Sequence, residues 1–167
     1  MTTDDEVIQT LNEYLENQAT FTLATSGENG LWISTMFYGY VDGKLYFSSK
    51  TKTRHAKEIG KGLQVAFSIA DSSQTPAVPT VGLQGVGYCH PSGMSEMPSI
   101  IKHYGVRFAE YNDTFGNINA LAGLIQGGMN LPFTIEISMI KFLHKPIFGG
   151  YRIIEFSDGK ITKVYAP

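Results

Sequence analysis

The sequence predicts a mainly β domain, a small antiparallel β-barrel with added helices. Three observations support this fold class. Six or more short segments alternate apolar with polar or small residues, as half-buried strands do. Several are separated by pairs typical of tight hairpins, Asn29-Gly30, Asp42-Gly43 and Asp158-Gly159. One long interior segment, residues 95–128, changes to a helical period, which favours a barrel with a helical excursion.

The chain begins with a helix and a three-stranded meander. Thr3 and Glu6 have the spacing of a capping box, and apolar residues then recur on one face, which predicts a helix from Thr3 to Asn17. Strands joined by short turns follow, and the second is rich in aromatic residues. Their predicted bounds are Thr20 to Thr25, Leu31 to Val41, and Lys44 to Ser49.

A basic loop running into a short helix follows the meander. Five of the 13 basic residues fall within twelve positions: Lys50, Lys52, Arg54, Lys57 and Lys61. Thr53 is a suitable N-cap, and Gly60 and Gly62 are suited to end the helix. Ala56 and Ile59 are expected to face inward.

The second half of the chain is predicted to hold a glycine-rich strand, the helical excursion and the closing strands. Gly82, Gly85 and Gly87 indicate bulges, bends, or a close approach by a ligand or another backbone. One helix is expected around Ile100 to Tyr111 and a second around Ile118 to Ile125. The strands are Leu63 to Ala70, Thr80 to His90, Pro132 to Leu143, Tyr151 to Phe156, and Ile161 to Tyr165. Without a linker or repeat, residues 1–167 are predicted to form a single domain.

Composition excludes several classes of protein. The net charge of -2 and the pI near 6.1 argue against a general electrostatic nucleic-acid binder. The single Cys89 excludes a disulfide scaffold. No apolar run reaches the roughly 18 residues of a transmembrane helix, and Met1 to Leu11 is acidic rather than signal-like. We therefore expect a soluble cytoplasmic domain with no nucleic-acid or membrane partner.

The segment Ser48 to Lys57 is the most informative motif. It follows a strand, alternates hydroxyls with cations and precedes a helix N-terminus. A phosphate group is bound by this combination of hydroxyl and backbone donors with a guanidinium. The alternative is a solvated basic turn. Neither a Walker A loop nor the glycine fingerprint of dinucleotide-binding folds is present.

Other motifs carry weaker signals. The aromatic run Trp32 to Tyr40 is either a core strand, or a strand whose Ser34, Thr35 and neighbouring backbone line a flat cofactor. The four histidines His55, His90, His103 and His144 are scattered, so no metal site is predicted. Cys89 lacks a Cys-x-x-Cys partner and is interpreted as a small, partly buried residue.

The order of several segments carries a family resemblance. These segments are Phe21 to Thr25, Leu31 to Tyr38, Gly43 to Ser49, Lys52 to Ala56, Val65 to Ile69, Gly82 to Gly87, Glu136 to Ile137 and Ile140 to Phe142. Over roughly residues 19–157 the chain resembles the FMN-binding split β-barrel superfamily named after pyridoxamine 5'-phosphate oxidase, closest to an uncharacterised branch of small bacterial proteins. The resemblance implies a six-stranded antiparallel split barrel of Greek-key type, with an N-terminal helix and a helical excursion.

The same resemblance implies a homodimer with FMN at the subunit interface. The phosphate would lie on Ser48, Lys50, Thr53 and Arg54, assisted by Lys52 or Lys57. The ring would lie along Ser34, Thr35, Met36 and Phe37 of the second predicted strand. Gln84 would approach the ring from a neighbouring strand or from the other subunit. The cofactor-binding residues expected on this basis are Ser34, Thr35, Met36, Phe37, Ser48, Ser49, Lys50, Thr51, Lys52, Thr53, Arg54 and Gln84.

The resemblance has limits that shape the functional expectation. The C-terminal Arg-x-His pattern of the vitamin oxidase is absent, since Arg152 is followed by Ile153 and Ile154, so that activity is not implied. The expected function is an FMN flavoprotein, an oxidoreductase with a small substrate and no identified catalytic residue. Two alternatives remain: a non-catalytic carrier of FMN, haem or deazaflavin, and a barrel without cofactor that serves as an interaction domain. The segment 95–128 either caps the ring or packs at a dimer interface.

Overall fold

A computed structural model describes residues 3–78, 80–107 and 130–166, and its strands form one antiparallel sheet. The helices are α1 (Asp4–Asn17), α2 (Arg54–Ile59), α3 (Met97–Arg107) and α4 (Lys145–Phe148), with a 3₁₀ turn at Met94–Glu96. The strands are β1 (Thr20–Gly27), β2 (Gly30–Phe37), β3 (Gly39–Val41), β4 (Lys44–Ser49), β5 (Leu63–Ala70), β6 (Val81–Pro91), β7 (Leu131–His144), β8 (Gly150–Ser157) and β9 (Lys160–Tyr165). None of the described helices combines the length and apolar character that crossing a membrane requires.

The long strand β7 is where the sheet divides. Neighbouring strands follow the order β2-β1-β5-β6-β7-β4-β3, and the β8–β9 hairpin also joins β7. Residues Leu131 to Glu136 pair with β4 and Met139 to His144 pair with β8, while β6 occupies the other edge of β7 along both parts. The two ends of the main order, β2 and β3, are consecutive in the chain and are joined through Tyr38. The sheet therefore curls into a barrel that is split beside β7.

The core lies inside this curled sheet and is closed by α1. The capping box predicted for α1 is confirmed, because Glu6 N donates to Thr3 Oγ1 (3.3 Å) and Thr3 N donates to Glu6 Oε2 (2.7 Å). Tyr38 is fully buried, and its hydroxyl donates to Leu15 O at 2.6 Å. The fully buried side chains of α1 and the strands make one continuous cluster.

The mainly β prediction is confirmed, with two differences in detail. The described residues contain nine strands where eight segments were predicted, because the predicted strand Leu31 to Val41 divides at Tyr38. The predicted strands Tyr151 to Phe156 and Ile161 to Tyr165 form the β8–β9 hairpin, which joins β7 in addition to the six-stranded barrel that the resemblance implies. The Tyr38 side chain points into the core, and its amide makes the last contact with the β1 side of the sheet, to Ala19 O (3.4 Å). From Gly39 onward the chain pairs with β4 instead. The helix predicted around Ile118 to Ile125 lies outside the described residues.

Glycines of β6 allow the close packing that their frequency indicated. A Cβ at Gly85 would lie 2.3 Å from Cζ of Phe67. A Cβ at Gly87 would lie 2.4 Å from Glu136 O, and the β6–β7 register shifts between Val86 and Gly87. Close approach and a bulge are both confirmed.

Candidate functional site

The loop between β4 and α2 is a tight turn held by Thr53. Its amide and hydroxyl both donate to Lys50 O, at 3.0 and 2.9 Å. The same hydroxyl accepts from Ala56 N at 3.4 Å, which confirms Thr53 as the N-cap. Ala56 and Ile59 are buried, as predicted. The loop therefore presents Lys50 and Lys52 to solvent on a fixed backbone.

His55 lies at the centre of the site although the sequence analysis did not include it there. Its Nδ1 is 2.9 Å from Ser34 Oγ, and its Nε2 is 2.6 Å from Ser49 Oγ and 3.2 Å from Thr53 Oγ1. Only 8% of the residue is exposed, and this burial lowers the pKa of His55, against the smaller opposing effect of Glu58. His55 lies four positions before Ile59 and so on the same inward-facing side of the short helix. This periodicity was the signal in the sequence that could have placed His55 in the site.

Arg54 is held between α2 and the β1–β2 hairpin. Its Nε donates to Glu58 Oε1 at 2.7 Å, and its Nη2 donates to the carbonyl oxygens of Asn29 (2.9 Å) and Gly30 (3.1 Å). The guanidinium lies 4.8 Å from the centre of the Trp32 ring. Among the described residues, Nη1 of Arg54 has no protein partner and remains open for an anion.

The Glu58 carboxylate supports this arrangement from the same helix. It accepts from Arg54 Nε and, at 2.5 Å, from the Thr25 hydroxyl. These hydrogen bonds, with that from Arg54 first, hold the pKa of Glu58 below its ordinary value. Arg54 is thus aligned by a carboxylate that stays ionised at neutral pH.

A polar cavity of about 530 Å³ opens beside Arg54. Its charged lining consists of three cations and two carboxylates, Lys52, Arg54, Lys57, Glu28 and Glu58. Lys52 and Lys57 are exposed and form no ion pair within the described part of the chain. The cavity is large enough for a phosphate group and carries a net excess of one positive charge.

The two serines at the end of β4 point in opposite directions. Ser49 is buried and joins His55 and Thr53, whereas Ser48 is half-buried on the other face of the strand. Of the expected cofactor-binding residues in this segment, the structure joins Ser49 and Thr53 in one network with His55, and it places Lys52 and Arg54 together at the cavity. It does not bring the Ser48 side chain into the same network.

The four predicted ring-binding residues of β2 share an edge rather than a face. Ser34 and Met36 pair with buried residues of β1 and point inward, whereas Thr35 and Phe37 point outward. Thr35 Oγ1 lies 3.1 Å from Thr22 Oγ1. Among the described residues β2 pairs with β1 alone, so its second edge forms no strand pair along Ser34 to Met36. A ring that contacts all four can do so only along that edge.

Gln84 lies on the outer face of the sheet, away from β2. The register places Thr35, Thr22, Ser68 and Gln84 in one row across β2, β1, β5 and β6. Three strand spacings amount to about 14 Å. Within one chain, the structure therefore does not bring Gln84 to the β2 edge.

The remaining histidines and the cysteine lie apart from this site. The described residues contain no group of three or more side chains that could hold a metal ion. Cys89, predicted to be partly buried, is fully buried, and burial raises the pKa of its thiol to about 12. His90 points to the other face of β6, where Nδ1 lies 2.9 Å from Pro91 O and Nε2 lies 3.7 Å from Glu136 Oε1.

Comparison with solved structures places the fold. The chain superimposes on ChuZ from Campylobacter jejuni with a TM-score of 0.67 and 17% identity, covering 97% of this chain and 63% of that one. It superimposes on a protein from Clostridium acetobutylicum, related to general stress protein 26 and of the pyridoxinephosphate oxidase family, with a TM-score of 0.60, 15% identity and coverage of 95% and 100%. The likeness shows that the fold is a split β-barrel.

Other split barrels in the comparison include a haem-binding protein from Mycobacterium smegmatis. The TM-score is 0.61 and the identity is 13%, with 86% of this chain and 57% of that one covered. The chain spans about three fifths of the length of this protein and of ChuZ. No protein-family model and no curated protein matches the sequence. At these identities, the likeness establishes the split-barrel fold and does not identify a cofactor.

Proposed function

We propose that the protein binds FMN and acts as a flavin-dependent oxidoreductase on a small substrate. The observation that carries this proposal is the adjacency of two features of the structure. A cation-bearing loop, with a cavity at the β1–β2 hairpin, lies next to β2, and His55 joins the loop to Ser34 of that strand. A phosphate at the loop and a planar ring along the edge are the two parts of one FMN molecule.

The loop cations are suited to the phosphate. A phosphate monoester carries about −1.5 to −2 charges at neutral pH. Lys50 and Lys52 are exposed at the loop, and the open Nη1 of Arg54 adds a directional donor. Charge-assisted hydrogen bonds of this kind are stronger than neutral ones. Together they would help to anchor FMN. Micromolar affinity corresponds to a binding free energy of about −8 kcal/mol for the whole ligand.

The edge of β2 is suited to the ring. Backbone N–H and C=O groups along Ser34 to Met36 would meet the heteroatoms at the rim of a planar ring, as they would meet a neighbouring strand. Outward-facing Phe37 is 41% exposed and offers an apolar contact at the end of this edge. When bound, FMN supplies hydride or electron transfer, and the chain's own residues bind and orient it.

A homodimer with the cofactor at its interface is part of this proposal. Outward side chains of β2, β1, β5, β6 and β7 form an apolar row, Ile33, Ala24, Ala66, Val86 and Met139. Ile33 is 67% exposed, and Val86 and Met139 are 39% and 36% exposed. Contiguous exposed apolar surface of this kind favours association. Because Gln84 lies about 14 Å from β2 in its own chain, its contribution to the ring would come from the second copy.

A haem carrier is the second candidate. The haem-binding neighbour from Mycobacterium smegmatis has the same fold. In this chain His90 lies with Nδ1 against a backbone carbonyl, so Nδ1 donates. In the neutral ring Nε2 then carries the lone pair, as in an iron-ligating imidazole. Glu136 lies 3.7 Å from that Nε2 and would have to move aside.

The absorption spectrum of the purified protein, before and after addition of FMN, tests the proposal. Flavin bands that remain with the protein through gel filtration are the expected result. A Soret band would favour the haem carrier instead. A colourless protein that retains neither added FMN nor added haem would contradict both candidates and favour an interaction domain.

A further inference from the structure

A continuous chain of hydrogen bonds joins β2 to the loop between β4 and α2, and His55 is its central member. The chain begins at an indole N–H on β2 and ends at a backbone carbonyl in the loop. Its successive contacts are Trp32 Nε1 to Ser34 Oγ (3.0 Å), Ser34 Oγ to His55 Nδ1 (2.9 Å), His55 Nε2 to Ser49 Oγ (2.6 Å), Ser49 Oγ to Thr53 Oγ1 (3.0 Å) and Thr53 Oγ1 to Lys50 O (2.9 Å).

The two ends of the chain determine where each proton lies. An indole N–H only donates and a carbonyl oxygen only accepts. Because the Thr53 hydroxyl donates to Lys50 O, it must accept from Ser49. Ser49 has then used its proton and accepts from Nε2–H of His55, which leaves Nδ1 to accept from Ser34. With neutral His55 protonated at Nε2, each of the five contacts of the chain has one hydrogen, and Nε2–H also lies 3.2 Å from Thr53 Oγ1.

Other protonation states of His55 leave contacts unmade. With the proton on Nδ1 alone, Nε2 takes the Ser49 proton, and the 3.0 Å contact between Ser49 and Thr53 then lacks a hydrogen. With both nitrogens protonated, Ser34 accepts from Trp32 and from His55, and its own hydroxyl proton loses its partner. The geometry therefore selects the neutral Nε2–H form.

We propose that His55, as the neutral Nε2–H tautomer, is a positioning residue that sets the phosphate loop at a fixed distance from the β2 edge. The inference rests on the proposed FMN site. The side chains that face the imidazole from β2, β4 and the loop are the uncharged hydroxyls of Ser34, Ser49 and Thr53, and Glu58 is the charged group that acts on it from α2. Burial lowers the pKa of His55, which agrees with a neutral ring at neutral pH.

The same chain of donors revises the expected role of the hydroxyls. The protons of Ser34, Ser49 and Thr53 are all directed along the chain, so none is available to a phosphate or a ring. These residues then hold the loop in shape, and the anion is received by Lys50, Lys52 and Arg54. His55 acts on the cofactor only through this geometry.

Nitrogen NMR of the whole protein at neutral pH tests the tautomer directly. The His55 ring, assigned by its loss in His55→Gln, should show a pyridine-like Nδ1 and a protonated Nε2. A protonated Nδ1, or an imidazolium, would overturn the inference even if FMN binds. This measurement needs no ligand, so it separates the tautomer from the proposed function.

A double-mutant cycle tests the positioning role. Ser34→Ala and His55→Gln should each weaken FMN binding about tenfold, the equivalent of one buried hydrogen bond, and the double variant should be no weaker than His55→Gln alone. His144→Gln, at the end of β7 and away from the site, is the matched control and should bind FMN as the unaltered protein does. Additive losses, or full affinity in Ser34→Ala, would overturn the role. If His55→Gln does not fold, Ser34→Ala and Ser49→Ala form the same cycle.

The proposed function and the positioning role fail in different ways. If the unaltered protein does not bind FMN, the proposed function is wrong and the positioning role falls with it, whatever the tautomer. If the unaltered protein binds FMN while Ser34→Ala and His55→Gln bind equally well, the function stands and the positioning role alone is wrong.

Discussion

Replacement of Arg54 separates the phosphate half of the proposed site from the ring half. Arg54 lines the cavity, and its Nη1 makes no hydrogen bond to another described residue, while Nε and Nη2 are held by Glu58 and by the hairpin carbonyls of Asn29 and Gly30. A phosphate therefore gains one pre-oriented, charge-assisted hydrogen bond from Arg54. Hydrogen bonds to charged groups contribute about 1.5–3 kcal/mol. Arg54→Ala should thus weaken FMN binding about 10- to 150-fold.

Riboflavin is the matched ligand for this test, because it has the same ring and no phosphate. Arg54→Ala should leave riboflavin binding unchanged. The FMN affinity of Arg54→Lys should lie between those of Arg54→Ala and the unaltered protein, because lysine keeps the charge and lacks the paired donors of the guanidinium. Fluorescence titration of both ligands at one ionic strength measures the two affinities. Lys163→Ala, which removes a cation stacked on Tyr165 far along the sheet, controls for net charge. Equal losses for FMN and riboflavin, or an FMN loss no larger than that of Lys163→Ala, would refute the reasoning.

Three further predictions concern stability and reactivity. Gly85→Ala should lower the free energy of unfolding by about 1–3 kcal/mol, because the new methyl group would clash with the Phe67 ring. Gly150→Ala is the control and should leave the free energy of unfolding unchanged, because a Cβ there has open space. Urea unfolding measures both variants. Cys89 should not react with a thiol reagent until the protein is denatured, when one thiol per chain appears, and rapid labelling of the native protein would contradict its burial. Since the folded pKa of His55 is below 6.5, the unfolded state binds more protons as the pH falls, so stability should decline as the pH falls through 6.5, less steeply in His55→Gln. An unchanged slope in that variant would contradict the lowered pKa.

Strand positions could be predicted from the sequence because their determinants are local. Lys44–Ser49 and Leu63–Ala70 have the predicted bounds, since tight turns and alternating side chains define such strands without reference to the rest of the fold. The break at Tyr38 was missed because it depends on a tertiary cause. A continuous aromatic run does not reveal that one tyrosine turns inward to bond Leu15 O.

The candidate site was predicted as a set of residues and not as an arrangement. The loop and its N-cap Thr53 were found because capping is local. The ion pair between Arg54 and Glu58 also has a local signature, because the two residues lie at positions i and i+4 of one helix. The sequence analysis did not include it. The role of His55 and the separation of Gln84 from β2 depend on which strands become neighbours, and that order comes from non-local pairing.

Calorimetric titration of FMN into the unaltered protein, with riboflavin titrated in parallel, tests the central claim of a phosphate-anchored flavin site. The account predicts one FMN per chain and riboflavin binding at least about tenfold weaker, the share of affinity expected from one charge-assisted contact to the phosphate. Absence of FMN binding, or equal affinity for FMN and riboflavin, would contradict it.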